Sequence, residues 1–179
     1  NGSYGFTLPI LKQMQSQNFG LRLGFSDLQI AQDLWELLDP NNNLKNGPIN
    51  AKIAFSGKAK LLENLTELRP DIYEDNNLNP IPFEVDEMFL EKLDLSLMGT
   101  SLQGEGSVSL DNEDLTTFAG FPKPVGSFEF VLSGVNGLVD KLISSGFIDS
   151  DTGMGARMML SMFTIPTGED ELSSKIEFN

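Results

Sequence analysis

Apolar and polar residues alternate along several separate segments of the chain, and this two-residue period limits the fold to one that is rich in β-strands. Apolar residues from Phe19 to Phe25 alternate with glycine and arginine, in a run that extends toward Leu28 and Ile30. Such alternation is the pattern of a strand with one packed face and one solvated face. The same period predicts further strands at 49–55, 93–97, 102–110, 127–133 and 174–178.

Short segments with helical spacing lie between these strands. Asp33–Leu38 is predicted to be a helix that ends at Asp39-Pro40, and segment 60–68 carries leucines at helical spacing. Segment 154–163 predicts a methionine-rich helix, whereas segment 69–82 has neither period and is predicted to be a loop. The whole pattern predicts an α+β fold: a curved, mainly antiparallel β-sheet with short helices packed on one face.

One internal similarity suggests a duplication. Ser56-Gly57 aligns with Ser133-Gly134, and the leucines that follow each pair align as well. We interpret this as a strand–helix element duplicated at about 49–68 and 127–146, with Gly57 ending the first strand, inside a single domain that spans residues 1–179. The alternative is that any strand–glycine–helix junction produces this pattern.

Two glycines interrupt the leucine face of the strand predicted at 102–110. Gly104 and Gly106 share that face, and the preceding strand at 93–97 is predicted to form a hairpin with this one. Glycines at such positions leave room for a strongly curved sheet, a close-lying helix or a ligand.

Composition excludes several classes of function. The 179 residues include no histidine and no cysteine, so histidine-based or cysteine-based nucleophilic catalysis and the usual zinc sites are ruled out. With 26 acidic and 12 basic residues the net charge is −14, which disfavours nucleic acids and anionic membrane surfaces. We therefore predict a non-enzymatic protein with no cofactor, no nucleic-acid partner and no transmembrane segment in this chain.

The acidic clusters have structural interpretations beside chemical ones. Residues 149–153 begin like a calcium loop but lack its later glycine and glutamate, so a helix N-cap is favoured. The cluster 111–114 is more typical of a turn than of a weak calcium site. The pairs Glu84/Asp86 and Glu91/Asp94 resemble glycosidase carboxylates in type only, because a chain this acidic produces such neighbours by chance.

The methionine helix is the feature with the strongest functional implication. Met154, Met158 and Met162 recur at every fourth position, with Met159 and Phe163 beside them. This stripe is suited either to filling an irregular core, which we favour, or to accepting a variable apolar ligand. Arg157 lies among these residues and is predicted to form a structural ion pair; the alternatives are an exposed position or an anchor for an anionic head group.

Several motifs together resemble an alphaproteobacterial family of exported proteins that is catalogued as a domain of unknown function. They are 33–40 (DLWELLDP), 102–110 (LQGEGSVSL), 118–124 (FAGFPKP), 136–142 (NGLVDKL), 154–160 (MGARMML) and 172–177 (LSSKIE). The resemblance implies a periplasmic location and an alphaproteobacterial source, and it brings no catalytic residues. The strand pattern is more loosely similar to AsmA-like envelope proteins, whose curved sheets present an apolar concave face to lipid. Because the chain starts with Asn1 and shows no signal peptide, we expect it to be a processed or partial form of a longer precursor.

These observations lead to two functional hypotheses. The first is a periplasmic envelope protein that binds lipid or another hydrophobic ligand in a groove between sheet and helices. The second is an accessory or structural subunit of a larger periplasmic or inner-membrane assembly, with the acidic surface attracting a basic partner. The residues predicted to line the groove are Trp35, Leu38, Leu138, Leu142, Met158, Met159 and Met162.

Overall fold

The computed structural model describes residues 1–39, 44, 46–64 and 83–179. Within them, one antiparallel sheet accounts for most of the regular structure, and three short helices join its strands. The elements, in chain order, are β1 (Gly2–Thr7), β2 (Gln17–Leu28), α1 (Gln32–Leu38), β3 (Ile49–Leu61), β4 (Phe83–Leu97), β5 (Thr100–Asp111), β6 (Lys123–Ser133), α2 (Val135–Ser144), α3 (Ser150–Phe163), β7 (Ile165–Gly168) and β8 (Glu171–Phe178).

The eight strands follow their order in the chain almost throughout the sheet. The spatial order is β1-β2-β3-β4-β5-β6-β8-β7, and every neighbouring pair is antiparallel. Only β8 departs from simple succession, since it lies between β6 and β7. The predicted α+β class with a mainly antiparallel sheet is confirmed, as is the hairpin formed by β4 and β5 around Met98-Gly99.

The register of the strands gives the sheet one apolar face. Directly opposed residues of antiparallel strands point to the same side of a sheet, so the pairs can be traced from strand to strand. Four rows of paired residues pass through Phe19, Leu21, Leu23 and Phe25 of β2. We call the side of the sheet formed by these four rows the apolar face. The row through Leu21, for example, consists of Phe6, Leu21, Phe55, Leu90, Gly106, Phe128 and Ile176.

The opposite face is polar and carries the charges of the sheet. Lys52, Asp94 and Gln103 form one row there, and Lys58 lies opposite Glu87 with 3.2 Å between Nζ and Oε2. Lys175 of β8 contacts Glu129 of β6 at 3.7 Å on the same side. The alternation that predicts the strands therefore also separates the two faces, because side chains of a strand alternate between them.

All three helices lie in connections at one end of the sheet. The β2–β3 connection contains α1, the β6–β7 connection contains α2 and α3, and the tight turns of β4–β5 and β7–β8 lie at this end as well. Gly134, at the start of α2, has φ of 76°, and a Cβ there would lie 2.4 Å from the Gly99 carbonyl oxygen. This close approach requires glycine and fixes α2 against the β4–β5 turn.

The described core is small for a chain of this length. Its buried apolar residues in the sheet, all of them in β3, β4 and β5, are Ala51, Ala59, Leu61, Leu90 and Val108. Trp35 and Leu44 are buried near α1, and Val139 is buried in α2. Most of the apolar face is therefore only half-buried or exposed.

The prediction that Gly57 ends its strand is wrong. β3 runs without interruption from Ile49 to Leu61, and Gly57 pairs with Phe19 on one side and Met88 on the other. A Cβ at Gly57 would lie 2.2 Å from the Glu87 carbonyl oxygen and 2.6 Å from Phe19 Cζ, so the glycine allows close packing instead of a break.

The helix predicted at 60–68 is wrong for residues 60–64. Lys60 and Leu61 belong to β3, and residues 62–64 are not helical. Its remainder, 65–68, and the loop predicted at 69–82 lie outside the described residues. The second copy of the proposed duplication does have the predicted strand followed by a helix, in β6 and α2. Two strands, β1 and β7, were not predicted.

Candidate functional site

The apolar face is the main candidate binding surface in the described part of the chain. Its four rows contain no charged residue, and their hydroxyl groups come only from Tyr4 and Ser174. At the β1 edge Phe6 is 70% exposed, and Leu23 beside it is 44% exposed. Toward the middle, Ile53 and Leu93 are still only half-buried. A large part of this surface is thus accessible to an apolar ligand.

Aromatic rings cover the glycines of this face. Phe130 of β6 lies over Gly104 of β5, where a Cβ would come within 2.6 Å of its Cδ1 atom. Gly106 has φ of 154°, and a Cβ there would lie 2.3 Å from the Ser127 carbonyl oxygen. The space that the two glycines leave is therefore filled by residues of the neighbouring strand β6.

The rings form a short aromatic row beside these glycines. Phe128 and Phe130 lie 6.5 Å apart between ring centroids, and Phe178 of β8 meets Phe128 edge-on at 6.3 Å. Offset and edge-to-face arrangements of this kind are the favourable ones for aromatic pairs. This row adds packed aromatic rings to the apolar face in β6 and β8.

Asp170 caps the first turn of α2 from the β7–β8 turn. Its two carboxylate oxygens accept hydrogen bonds from the backbone amides of Asn136 and Gly137 at 2.8 and 3.0 Å. These bonds, led by the one from Gly137, hold the pKa of Asp170 below its ordinary value of 3.8. The N-terminal amides of α2 that a phosphate would need are therefore already occupied by a carboxylate.

The pair α2–α3 packs through a glycine. A Cβ at Gly153 would lie 2.5 Å from Ile143 Cδ1 and 3.3 Å from Val139 Cγ1, so the two helices approach closely there. Arg157 lies on the same side of α3 and donates from its Nη2 atom to Asp140 at 2.7 Å and to the Asn136 carbonyl at 3.2 Å. The predicted structural ion pair of Arg157 is confirmed.

The methionine stripe faces solvent, and the interpretation of it as core filler is wrong. Met158, Met159 and Met162 are 63%, 65% and 73% exposed, and Met154 and Phe163 are similarly exposed. The face that packs against α2 carries Gly153 and the partly buried Arg157. The small glycine permits a closer helix contact than a methionine would, which is why the periodic stripe lies on the outer side.

The residues predicted to line the groove lie in different environments. Trp35 is 3% exposed in α1, whereas Leu138 and Leu142 of α2 are half-buried. Leu38 is the last residue of α1, and its side chain lies outside the described part. α1 follows β2 while α2 and α3 follow β6, so the two groups share one end of the sheet but are separated by several strands. A single groove that combines them stays a prediction.

The acidic clusters have the local structural roles that were favoured for them. Asp149 caps α3 by accepting a hydrogen bond from the Thr152 amide at 2.7 Å, which confirms the predicted N-cap. Asp114 accepts hydrogen bonds from the amides and hydroxyls of Thr116 and Thr117, and the Thr117 hydroxyl contributes most to lowering its pKa to about 2. The cluster 111–114 is therefore a turn.

The other paired carboxylates have basic or polar partners on the polar face. Glu91 lies at a register shift of β4 and accepts hydrogen bonds from Ser56 at 2.6 Å and Arg22 at 2.9 Å, which lower its pKa. A shallow depression beside it is lined by Ser56, Glu105 and Ser107. Asp94 contacts Lys92 at 3.5 Å. These contacts are those of surface ion pairs.

Sequence reasoning missed the contribution of β1. Tyr4 and Phe6 extend the apolar face by one strand, opposite Leu23 and Leu21. The signal was present, since Tyr4, Phe6 and Leu8 alternate with Gly5 and Thr7. The run is short and contains glycine, which weakens strand propensity.

Comparisons with protein-family models, with curated proteins and with solved structures find no match to this chain. In the described ranges, acidic side chains do not gather into a group of three or more that could hold a metal ion. The helices of the same ranges are all too short or too polar to cross a membrane.

Proposed function

We propose that this protein is a non-enzymatic envelope protein that binds the acyl chains of a lipid, or a similar hydrophobic ligand, on its apolar sheet face. One observation carries the proposal: the strand register collects the apolar side chains of successive strands on one face, where many of them stay accessible. The uncharged character of the four rows supports binding of an apolar chain, with any polar head group at the rim.

Leaving such an apolar surface in contact with water is unfavourable. Soluble monomers rarely expose a contiguous apolar patch larger than a few hundred Å². Each buried methylene of a ligand contributes about 0.8 kcal/mol. A chain of roughly 16 carbons could therefore supply about 13 kcal/mol, if all of it were buried, before the cost of association is subtracted. This gain is of the same order as the cost of association, so binding requires that most of the acyl chain is buried.

We further propose that the helices pack along one side of the apolar face and form a wall of the groove. The contact of α2 with the β4–β5 turn through Gly134 supports this arrangement, because it holds the helix close to the strands that carry Leu95 and Leu102. In this arrangement Leu138 and Leu142 border the ligand. α1, which follows β2, borders the ligand on the side of β2 and β3.

The periplasmic location belongs to the proposal and rests on the family resemblance of the sequence. A net charge of −14 supports a carrier that moves between surfaces, because an anionic bilayer repels it. The second hypothesis, an accessory subunit of a larger assembly, is favoured by a different observation, the solvent-exposed methionine stripe of α3.

The binding hypothesis is tested with a neutral fluorescent probe, N-phenyl-1-naphthylamine, and with native mass spectrometry of protein purified from its own host. The double substitution Phe6→Gln/Leu23→Gln removes two accessible side chains of one edge of the face. We expect the probe affinity to fall by about tenfold or more, since each buried side chain of this size contributes roughly 1.5–3 kcal/mol.

The matched control is Lys52→Gln, which changes a neighbouring strand on the polar face. It should bind the probe as the wild type does, and circular dichroism should show that both variants are folded. Equal probe binding by all three proteins, with no lipid retained in native mass spectra, would remove the support for this function.

A further inference from the structure

The outer side of α3 is an apolar ridge at the surface of the molecule. Met154, Met158 and Met162 recur at i, i+4 and i+8, and Met159 and Phe163 widen the ridge by another row. All five side chains are at least 63% exposed. Ile165, directly after the helix, is 70% exposed and continues the ridge. We call these six residues the methionine ridge.

The packing of α3 fixes the ridge in this outward position. Gly153 contacts Val139 and Ile143 of α2, and Arg157 is bonded to Asp140 and Asn136. Turning the ridge inward would break the Arg157 contacts and force methionines into a helix contact that only glycine fits. These contacts therefore keep the ridge on the outer side of α3.

The segment that carries the ridge has a negative net charge. Segment 135–171 contains six acidic and two basic residues, and one of the two basic residues, Arg157, is already paired with Asp140. Asp151 lies at the N-terminal end of the ridge, one turn before Met154 on the same side, and Asp149 precedes it as the N-cap. An occupant of this surface needs an apolar side and positive charges along its margin.

We infer that the methionine ridge is the docking surface for a basic amphipathic helix of a partner protein. Methionine is flexible and polarizable, so a row of methionines accommodates leucine, isoleucine or phenylalanine anchors at helical spacing on a facing helix. The helical part of the ridge runs from Met154 to Phe163, or roughly 15 Å at 1.5 Å per residue, which matches about three turns of a partner helix.

The charge decides against the other occupants. A second copy of the chain brings the same acidic margin and is repelled, and an anionic bilayer is repelled for the same reason. A basic helix instead gains long-range attraction, which weakens as salt screens it. This inference does not depend on ligand binding by the apolar face.

The test uses two synthetic peptides of about 18 residues, long enough to form a helix on binding. Both carry leucine at i, i+3, i+4 and i+7; one has lysine at the remaining positions and the other has glutamate. The intact chain should bind the lysine peptide in fluorescence anisotropy, with helix formation seen by circular dichroism. It should bind the glutamate peptide at least about tenfold more weakly, and added salt should weaken the lysine complex.

Variants locate the binding surface. Met158→Gln/Met162→Gln should weaken the lysine peptide by about tenfold or more, and Asp151→Asn should weaken it less while reducing the salt dependence. Leu34→Gln, which changes an exposed leucine of α1, is the matched control and should leave binding unchanged.

The inference is overturned if the lysine peptide binds the methionine variant as tightly as the wild type, or if the glutamate peptide binds equally well. It is also overturned if phosphatidylcholine vesicles co-sediment with the wild type but not with Met158→Gln/Met162→Gln, since the ridge would then be a membrane contact. Phe6→Gln/Leu23→Gln should keep peptide binding, which separates this result from the test of the apolar face.

Discussion

The ring of Phe130 packs on Gly104 of the neighbouring strand, so closely that a Cβ on the glycine would lie 2.6 Å from Cδ1 and 2.9 Å from Cε1 of the ring. The two residues are directly opposed in the β5–β6 register. The aromatic ring thus covers backbone that glycine leaves bare, and it compensates for the low strand propensity of glycine.

The first prediction follows from this contact. Gly104→Ala should destabilise the protein by about 1–3 kcal/mol, because the added methyl group forces the Phe130 ring out of its place. Urea unfolding at neutral pH measures the effect. Combining Gly104→Ala with Phe130→Leu should cost less than the sum of the two single substitutions, since the smaller side chain makes room for the methyl group. Additive costs would contradict the packing described for this pair.

Gly155→Ala is the matched control for that experiment. Gly155 lies in α3, and a Cβ there would meet nothing within 4 Å. The same chemical change should stabilise the protein by about 0.5–1 kcal/mol, because alanine is the better helix former. A loss of stability in this variant would show that Gly155 lies on a packed side of α3 and not on the exposed side.

The second prediction concerns Asp170 and pH. The pKa of Asp170 is lower in the folded protein than in the unfolded chain, so its cap contributes fully above the ordinary value of 3.8 and is lost as the pH falls through the folded-state pKa. Asp170→Asn should cost about 1 kcal/mol near neutral pH. Asparagine tolerates the positive φ of this position, 52°, so the backbone is not strained.

The difference in unfolding free energy between wild type and Asp170→Asn should shrink as the pH drops below about 4. Urea titrations at several pH values measure it. A difference that stays constant down to the lowest pH would mean that the carboxylate charge does not support α2.

The third prediction separates the two partners of an ion pair. Asp140 is 70% exposed, so Asp140→Asn should cost less than about 0.5 kcal/mol. Arg157→Ala should cost about 1–2 kcal/mol, because it also removes the hydrogen bonds to Asn136. Chemical denaturation of both variants checks the order. If the two substitutions lowered the free energy of unfolding equally, the whole contribution of Arg157 to stability would come from its contact with Asp140.

The fourth prediction concerns Asp114. NMR titration of its carboxyl carbon should give a pKa of about 2. Thr117→Val should raise this pKa toward 3.8, because it removes the hydroxyl group that contributes most to the lowering. Thr116→Val, which removes a longer hydrogen bond to the same carboxylate, should raise it less. The reverse order would contradict the turn geometry.

The sequence predicts the central strands because their side chains alternate for long stretches, as Phe19 to Phe25 do. It fails where pairing partners decide the conformation. Gly57 reads locally as a strand end, but strands on both sides and the ring of Phe19 keep it extended. The short strands β1 and β7 contain glycine or proline, and their pairing with β2 and β8 overrides weak local propensity.

The candidate site was only partly accessible to sequence reasoning. Periodicity identifies the methionine stripe, yet it does not reveal which side of a helix is packed. The packed side of α3 is determined by Gly153 and Arg157. Their partners, Ile143 and Asp140, lie on α2, so the sequence of α3 alone does not show this side. The continuity of the apolar face depends on strand register, which no single strand reveals.

The near-sequential order of the strands has a consequence for how the chain acquires its structure. Strands that are neighbours in the chain pair by closing short loops, which is entropically inexpensive and fast, as in the β4–β5 hairpin around Met98-Gly99. The β6–β8 pair is different, because the whole α2–α3 connection must be placed before β8 reaches β6. We therefore expect the meander of β4 to β6 to form early in folding. The helices α2 and α3, together with β7 and β8, should pack onto it last.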